Sequence, residues 1–411
     1  MSSVEDKIPE GWVETTLGEV SIRKQYGYTE SASNEEIGPK FLRITDIQND
    51  FINWKTVPFC LISDSDLEKY KLKIGDVVIA RTGNSTGATA TIKEEINAVF
   101  ASYLIRFQLN SEIADYNFID FLVRSRLWSG FVKSVKSGSA QGGANANDFA
   151  MFPINLPPLQ EQKAIAEVLT AFDDKIENLR AQNQTLETLA QTIFAAWFLP
   201  SRQAGGKYQV GDELPEGWRV GEIGDLTVIK RGGSPRPIKD YISDSGYRWL
   251  KISDATATDS PYIFEIKEHI KVEGLSKTTL KKAGDLVLSN SATPGMPKFL
   301  AVDTCVHDGW MHFPSSIVSN EYLYLLFLHI RPKLVQQGSG SVFVNLKTDI
   351  LRYYETIIPS NQALKDFDKL IKPVFDKILN NSKQIQSLTK TRDTLLPKLM
   401  SGELRVEGFK K

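Results

Sequence analysis

The chain repeats itself. Ile8-Pro9-Glu10-Gly11-Trp12 returns as Leu214-Pro215-Glu216-Gly217-Trp218, 206 residues later. Leu17-Gly18-Glu19-Val20 returns as Ile223-Gly224-Asp225-Leu226 at the same offset, and Phe41-Leu42-Arg43-Ile44-Thr45-Asp46 as Trp249-Leu250-Lys251-Ile252-Ser253-Asp254 at 208. Gly75-Asp76-Val77-Val78-Ile79 returns as Gly284-Asp285-Leu286-Val287-Leu288 at 209, and Gly138-Ser139-Ala140 aligns with Gly340-Ser341-Val342 at 202. Order is kept and the offset drifts only slightly, so the 411 residues form a tandem duplication. A period of about 200 residues is far too long for a solenoid, whose units run ~20–50 residues. Two similar domains are expected.

Each half divides again. Its first part carries short apolar runs broken by Gly, Pro, Asn and Asp, the pattern of short strands and turns. A helical stretch follows, Tyr116 to Val135 in the first half and Ser319 to Val335 in the second, the latter interrupted by Pro332. The expected fold class is mixed α/β, with strand-rich domains. Next comes a tract of another kind. Between Leu159 and Phe198 there is no Gly or Pro, and core-type residues fall at Ile165, Leu169, Phe172, Ile176, Leu179, Asn183, Leu186, Ala190, Ile193 and Trp197. The second half repeats the alternating spacing of four and three at Leu364, Phe367, Ile371, Val374, Ile378, Asn381, Ile385, Leu388, Arg392, Leu395 and Leu399. A sustained 3.5-residue period argues for two long coiled-coil helices. Pro373 lies inside the second and predicts a kink or a late start.

Antiparallel pairing would set Asn183 opposite Asn381, where one buried polar pair can specify register. Charge favours pairing within one chain. Residues 159–200 carry 3 Lys+Arg against 6 Asp+Glu, and residues 361–411 carry 11 against 6. The blander arrangement packs each helix only on its own domain. The domain expectation is therefore 1–158 and 214–360 as the two strand-rich domains, 159–200 and 361–411 as the helices, and 201–213 as a linker.

Catalytic motifs are wanting. Hydrophobic residues at 41% and charged residues at 24% fit a globular chain. The longest strongly apolar run, Tyr322 to Ile330, falls short of the ~20 residues that span a membrane. The polar start of the chain offers no signal peptide, and two distant cysteines, Cys60 and Cys305, fit a reducing cytoplasm. Asn155-Leu156-Pro157-Pro158-Leu159 lacks the aromatic that a base-flipping aminomethyltransferase needs, and reads as a turn into a helix. Asp259 with Glu265 and Lys267 reads as a solvated face, and Cys305, His307 and His312 lack a fourth zinc ligand. No phosphate loop or nucleophile elbow is present. No metal or cofactor is expected on this chain.

Binding remains, and two reading domains on one rod suit DNA. The polar loops hold side chains that read base edges, Arg to guanine, Asn and Gln to adenine, Ser and Thr to either. In the first half the candidates are Arg81, Thr82, Asn84, Lys136, Gln141, Asn145 and Asn147. In the second they are Arg231, Ser234, Arg236, Asn290, Gln337, Asn345 and Lys347. Glycines in these loops would let backbone amides approach phosphates.

Pro-Glu-Gly-Trp opening each half, Gly75 to Arg81, and above all Leu156-Pro157-Pro158-Leu159-Gln160-Glu161-Gln162 leading into Ile176-Glu177 resemble the DNA-specificity subunit of type I restriction-modification systems. The resemblance covers essentially the whole chain. It implies a non-catalytic, cytoplasmic subunit whose two target-recognition domains each bind one half of an asymmetric, split double-stranded DNA site. It implies an antiparallel helix pair that sets the spacing and carries two methyltransferase subunits, with one or two motor-nuclease subunits added for cleavage. S-adenosylmethionine would sit on the methyltransferase partner, ATP and Mg on the motor-nuclease partner. The second half departs from the pattern, with Ile358-Pro359-Ser360-Asn361-Gln362 at the start of its helix. Rival expectations are the specificity chain of a combined nuclease-methyltransferase and a structural coiled-coil adaptor with no DNA role.

The rise from Ile165 to Trp197 is about 48 Å. That length spans about 14 base pairs and predicts half-site centres roughly 10–14 base pairs apart. The net charge of −1 hides a division, 16 Lys+Arg against 20 Asp+Glu in residues 1–158 and 19 against 18 in residues 201–360. Neither domain is basic, so each is expected to bind DNA weakly without partners, because phosphate neutralisation supplies most non-specific affinity.

Overall fold

Asp76–Ala80 and Leu286–Ser289 occupy the same place in the repeat, and every residue of both strands is buried. A strand covered on both faces reads as a near-continuous apolar run, as Val77 to Ala80 and Leu286 to Leu288 do. The computed structural model describes residues 8–48, 51–137, 143–199, 213–337, 345–406 and 408. By its internal contacts the chain divides into residues 1–175 with 387–411, and residues 176–386.

In the first unit, Val13–Thr16 pairs antiparallel with Pro153–Leu156, Val13 opposite Leu156. A sheet runs in the order Ser21–Tyr26, Leu104–Leu109, Asp76–Ala80, Thr89–Thr91, and Lys40–Leu42 pairs in parallel with Ala98–Phe100. In the second unit, Arg219–Glu222 pairs with Glu355–Ile358, Arg219 opposite Ile358. Its main sheet runs Thr227–Arg231, Trp310–Ser316, Leu286–Ser289, Pro297–Leu300, Tyr262–Ile263. Tyr247–Leu250 and Thr304–Val306 pair in parallel, Trp249 opposite Cys305 where the first unit sets Phe41 opposite Val99. The mixed α/β, strand-rich plan thus recurs with its shared strands in the same register, while the second unit adds Tyr262–Ile263 to its main sheet and further strands around its parallel pair.

Two helical expectations are corrected. The stretch from Tyr116 is two helices, Tyr116–Val123 and Arg126–Ser137. The break comes at Ser125, whose hydroxyl accepts from the Trp128 N–H at 3.4 Å. Its counterpart is one helix, Asn320–Gln337, that runs through Pro332. The lost hydrogen bond costs about 3 kcal/mol, but burial of Phe327, Ile330 and Leu334 on either side of the proline outweighs it. The second long helix, Asn361–Ser401, likewise includes Pro373 and starts without delay.

The first long helix spans Leu159–Phe198. In the first unit its Ile165, Ala166 and Leu169 share a core with Leu399 and Met400 of the second, while Asp173 meets Arg392. In the second unit Asn183 meets Asn381, and Phe198 meets Phe367 with ring centroids 4.8 Å apart. Within each unit the residue numbers run in opposite senses, so the segments pair antiparallel. The apolar face is wider than a strict heptad seam. Phe194 and Phe198 are better buried than Ile193 and Trp197, because they turn onto Tyr322 of the second unit's core. Both cysteines are buried and unbridged, and burial pushes each thiol up to about 11.

Candidate nucleic-acid interface

Three loops meet at one end of each half's sheet, and one main-chain pattern ties them. In the first half the Arg81 N–H donates to the Tyr103 carbonyl at 3.0 Å, and the Arg81 carbonyl accepts from the Ala144 N–H at 3.1 Å. In the second the Asn290 N–H donates to the Gly309 carbonyl at 2.9 Å, and the Asn290 carbonyl accepts from the Leu346 N–H at 2.8 Å. Gly27 and Gly232 mark the same crossing in the two halves. A Cβ at Gly27 would stand 2.2 Å from the Ala101 carbonyl oxygen, and one at Gly232 would stand 2.4 Å from that of His307. Only glycine lets the two strands of backbone pass so closely.

Side chains converge on the same turn with different chemistry. Arg81 is half-buried, its Nε donates to the Ser102 carbonyl at 3.2 Å, and its guanidinium lies 5.0 Å from the centre of the Tyr26 ring. The Tyr26 hydroxyl accepts from the Ala146 N–H at 3.1 Å. Thr82 is half-buried and Asn84 exposed on the following loop. Asn145 caps the short helix Ala146–Ala150 by accepting from the N–H groups of Asn147 and Asp148. Asn147 is exposed in its first turn, and Lys136 is half-exposed in the last turn of Arg126–Ser137. Gln141 lies outside the described residues.

In the second half, Asp308 stands where the repeat has Ser102. Its carbonyl accepts from Arg231 Nε and Nη2 at 3.1 and 2.8 Å and from Asn290 Nδ2 at 3.0 Å. Its carboxylate accepts from Ser234 Oγ at 2.6 Å and from Arg236 Nη2 at 3.1 Å. Asn290 has no exposed surface, so it braces the turn from beneath and cannot offer its amide to a base edge in this arrangement. Asn345 and Lys347 are exposed just before Thr348–Arg352. Gln337 ends the helix that began at Asn320, and its side chain lies outside the described residues. His307 Nδ1 accepts from the Gly309 N–H at 2.8 Å, and burial lowers the imidazole pKa against the opposing pull of Asp308. His307 is therefore neutral, and its 3.7 Å approach to Asp308 is no ion pair.

The residues that sequence reasoning passed over are Tyr26, Tyr103, Ser102 and Asp308. Tyr103 is 55% exposed beside Arg81, an aromatic face available for stacking. The repeat alignment carried the signal, since Ser102-Tyr103 falls on Asp308-Gly309. The discarded motifs have plain roles. Glu265 and Lys267 are exposed on either side of buried Ile266, and no cluster of His, Cys, Asp or Glu among the described residues could hold a metal. Nor, among those residues, is any helix long and apolar enough to cross a membrane.

The opening motifs are structural. Trp12 Nε1 donates to Glu161 at 3.1 Å, and Arg405 grips the same carboxylate with Nε and Nη2 at 2.8 and 2.6 Å. Gln162, fully buried, accepts from the Asp115 N–H and donates to the carbonyls of Ile113 and Pro157, each at 2.8 Å.

The family model described as "Type I restriction modification DNA specificity domain" matches residues 9–188 and again 215–390. The chain belongs to that family. The specificity subunit of the MjaIX enzyme of Methanocaldococcus jannaschii is 29% identical over 305 residues, 71% of this chain and 69% of the relative. That of the HindI enzyme of Haemophilus influenzae is 23% identical over 96% of this chain and 99% of its own length. A solved type I S subunit from M. genitalium shares the fold with a TM-score of 0.59 at 15% identity, over 96% of this chain and 97% of the other. This specificity subunit recognises DNA, does no catalysis of its own, and works in a complex with other subunits.

Proposed function

We propose that the loops around Ser102 and Asp308 are the DNA-reading surfaces, each taking one half of a bipartite, asymmetric double-stranded site. One observation carries the reading. The two halves share a main-chain scaffold and differ in the side chains set on it, Arg81 over Tyr26 in one and Arg231, Ser234 and Arg236 around Asp308 in the other. A constant frame with variable donors is what two different base sequences require, since phosphate contacts position a protein and base-edge contacts specify it. The recognition domains are residues 1–158 and 214–360. Asn84, Asn145, Asn147, Arg231, Arg236, Asn345 and Lys347 are the exposed candidates for contact, and Asn290 serves the scaffold.

The long helices fix the distance between half-sites, with the Asn183–Asn381 pair as register. They carry two methyltransferase subunits, to which one or two motor-nuclease subunits add. S-adenosylmethionine belongs to the methyltransferase, ATP and Mg to the motor-nuclease, and the assembly works in the cytoplasm. A genome-wide map of modified adenines with and without this gene tests the reading. Loss of one split asymmetric motif is expected, and an unchanged map in an active system would refute it. Inserting four residues into one long helix should lengthen the spacer while leaving the bases read unchanged.

A further inference from the structure

We propose that Asp308 is a positioning residue for recognition by the second half, holding Arg231, Ser234 and Arg236 as one preformed polar face. The inference rests on the DNA-reading role proposed above.

Asp308 is nearly half exposed and Arg236 more so, at side-chain exposures of 46% and 77%. An ion pair in that setting adds little to stability. Nor does the turn need the carboxylate. The main-chain bonds from Trp310 N to the His307 carbonyl and from Asn290 N to the Gly309 carbonyl hold it. What the residue does is bring flexible donors to one place. Its carbonyl takes Arg231, and its two carboxylate oxygens take Ser234 and Arg236 separately. The Ser234 hydrogen bond, against modest burial and with help from a backbone N–H and Arg236, holds the carboxyl below its ordinary range, so it is ionised at neutral pH.

A free arginine on a loop reaches any phosphate within its radius. An arginine already directed by a neighbour presents its fork along one line, and the ordering cost is met before DNA arrives. Removing the carboxylate should therefore trade selectivity for unselective attraction. The first half supplies an internal control, because Ser102 has no charge with which to hold an arginine and Arg81 there lies over Tyr26 instead.

The test uses the full chain assembled with its methyltransferase partner subunits. The assembly selects from a pool of duplex oligonucleotides carrying a randomised tract. Asp308→Ala should reduce discrimination at base pairs of the second half-site about tenfold and leave the first half-site unchanged. Binding to non-cognate duplex should become more salt-dependent, by about one phosphate contact, as Arg236 is released. Asp308→Asn, which keeps an acceptor for Ser234 but not the charge, should lie between the two, and neither variant should move the unfolding midpoint. Wild-type selectivity in Asp308→Ala overturns the proposal, as does equal loss at both half-sites. A wild-type assembly that selects no second half-site would instead overturn the DNA-reading assignment on which it rests.

Discussion

The two long helices begin at the same point of the repeat and are held there by opposite chemistry. At the first, Glu161 and Gln162 are completely buried and fully engaged, the carboxylate by Trp12 and Arg405, the amide by the backbone around Ile113, Asp115 and Pro157. At the second the repeat sets Ala363 and Leu364 in those places, and Leu364 joins a core with Phe367 and Ile358. A buried ionised group is tolerable only with its partners in place, whereas an apolar one needs only volume and contact. The first helix start is therefore specific and brittle, the second permissive. Arg405 lies close to the end of the chain, so the first half's helix start depends on residues that follow the whole second half.

The largest effect should come from breaking the polar start. Glu161→Ala leaves Arg405 and the Trp12 indole without their acceptor, and should cost about 3 kcal/mol in urea unfolding. The reverse exchange, Leu364→Gln, puts an amide where the neighbours are apolar and should cost about 2 kcal/mol. If Leu364→Gln proved neutral, the claimed difference between the two starts would collapse.

A smaller effect should follow acid. Burial works against the Asp173 carboxylate, but hydrogen bonds from Arg392 and Arg124 and their charges outweigh it and hold its pKa below the ordinary value. A carboxylate lowered in the folded state stabilises above the unfolded-state value near ~3.9, and that stability is lost as pH falls through the lower folded value. Denaturation curves at neutral pH and at pH values through that window should show the loss, and Asp173→Asn should flatten it.

The smallest concerns the asparagine pair. Asn381 Nδ2 donates to Asn183 Oδ1 at 2.9 Å, and Asn183 Nδ2 reaches the Ser382 hydroxyl at 3.2 Å. A double-mutant cycle to alanine should give a coupling of about 1 kcal/mol. Replacing both by leucine should leave stability equal or higher, since an apolar pair fills the seam without a polar group to satisfy.

Much was legible in the chain before folding. The duplication, the strand-rich halves, the two long helices and the meeting of Asn183 with Asn381 follow from repeats and from a 3.5-residue period, which are local properties of sequence. The repeat of Arg81 at Asn290 was also legible, but what each does was not. Both occupy one backbone position, yet Arg81 lies half-exposed over Tyr26 while Asn290 is sealed beneath the Asp308 turn. Arg392 shows the same limit. Its spacing set it among apolar seam positions, and only the fold brought Asp173 within 2.6 Å to make it an ion pair. The sequence by itself determined the two-fold plan and its helices, because periodicity acts over a few residues. The tertiary structure alone decided which polar side chains face solvent and which brace a turn, because that depends on partners 18 to 244 residues away.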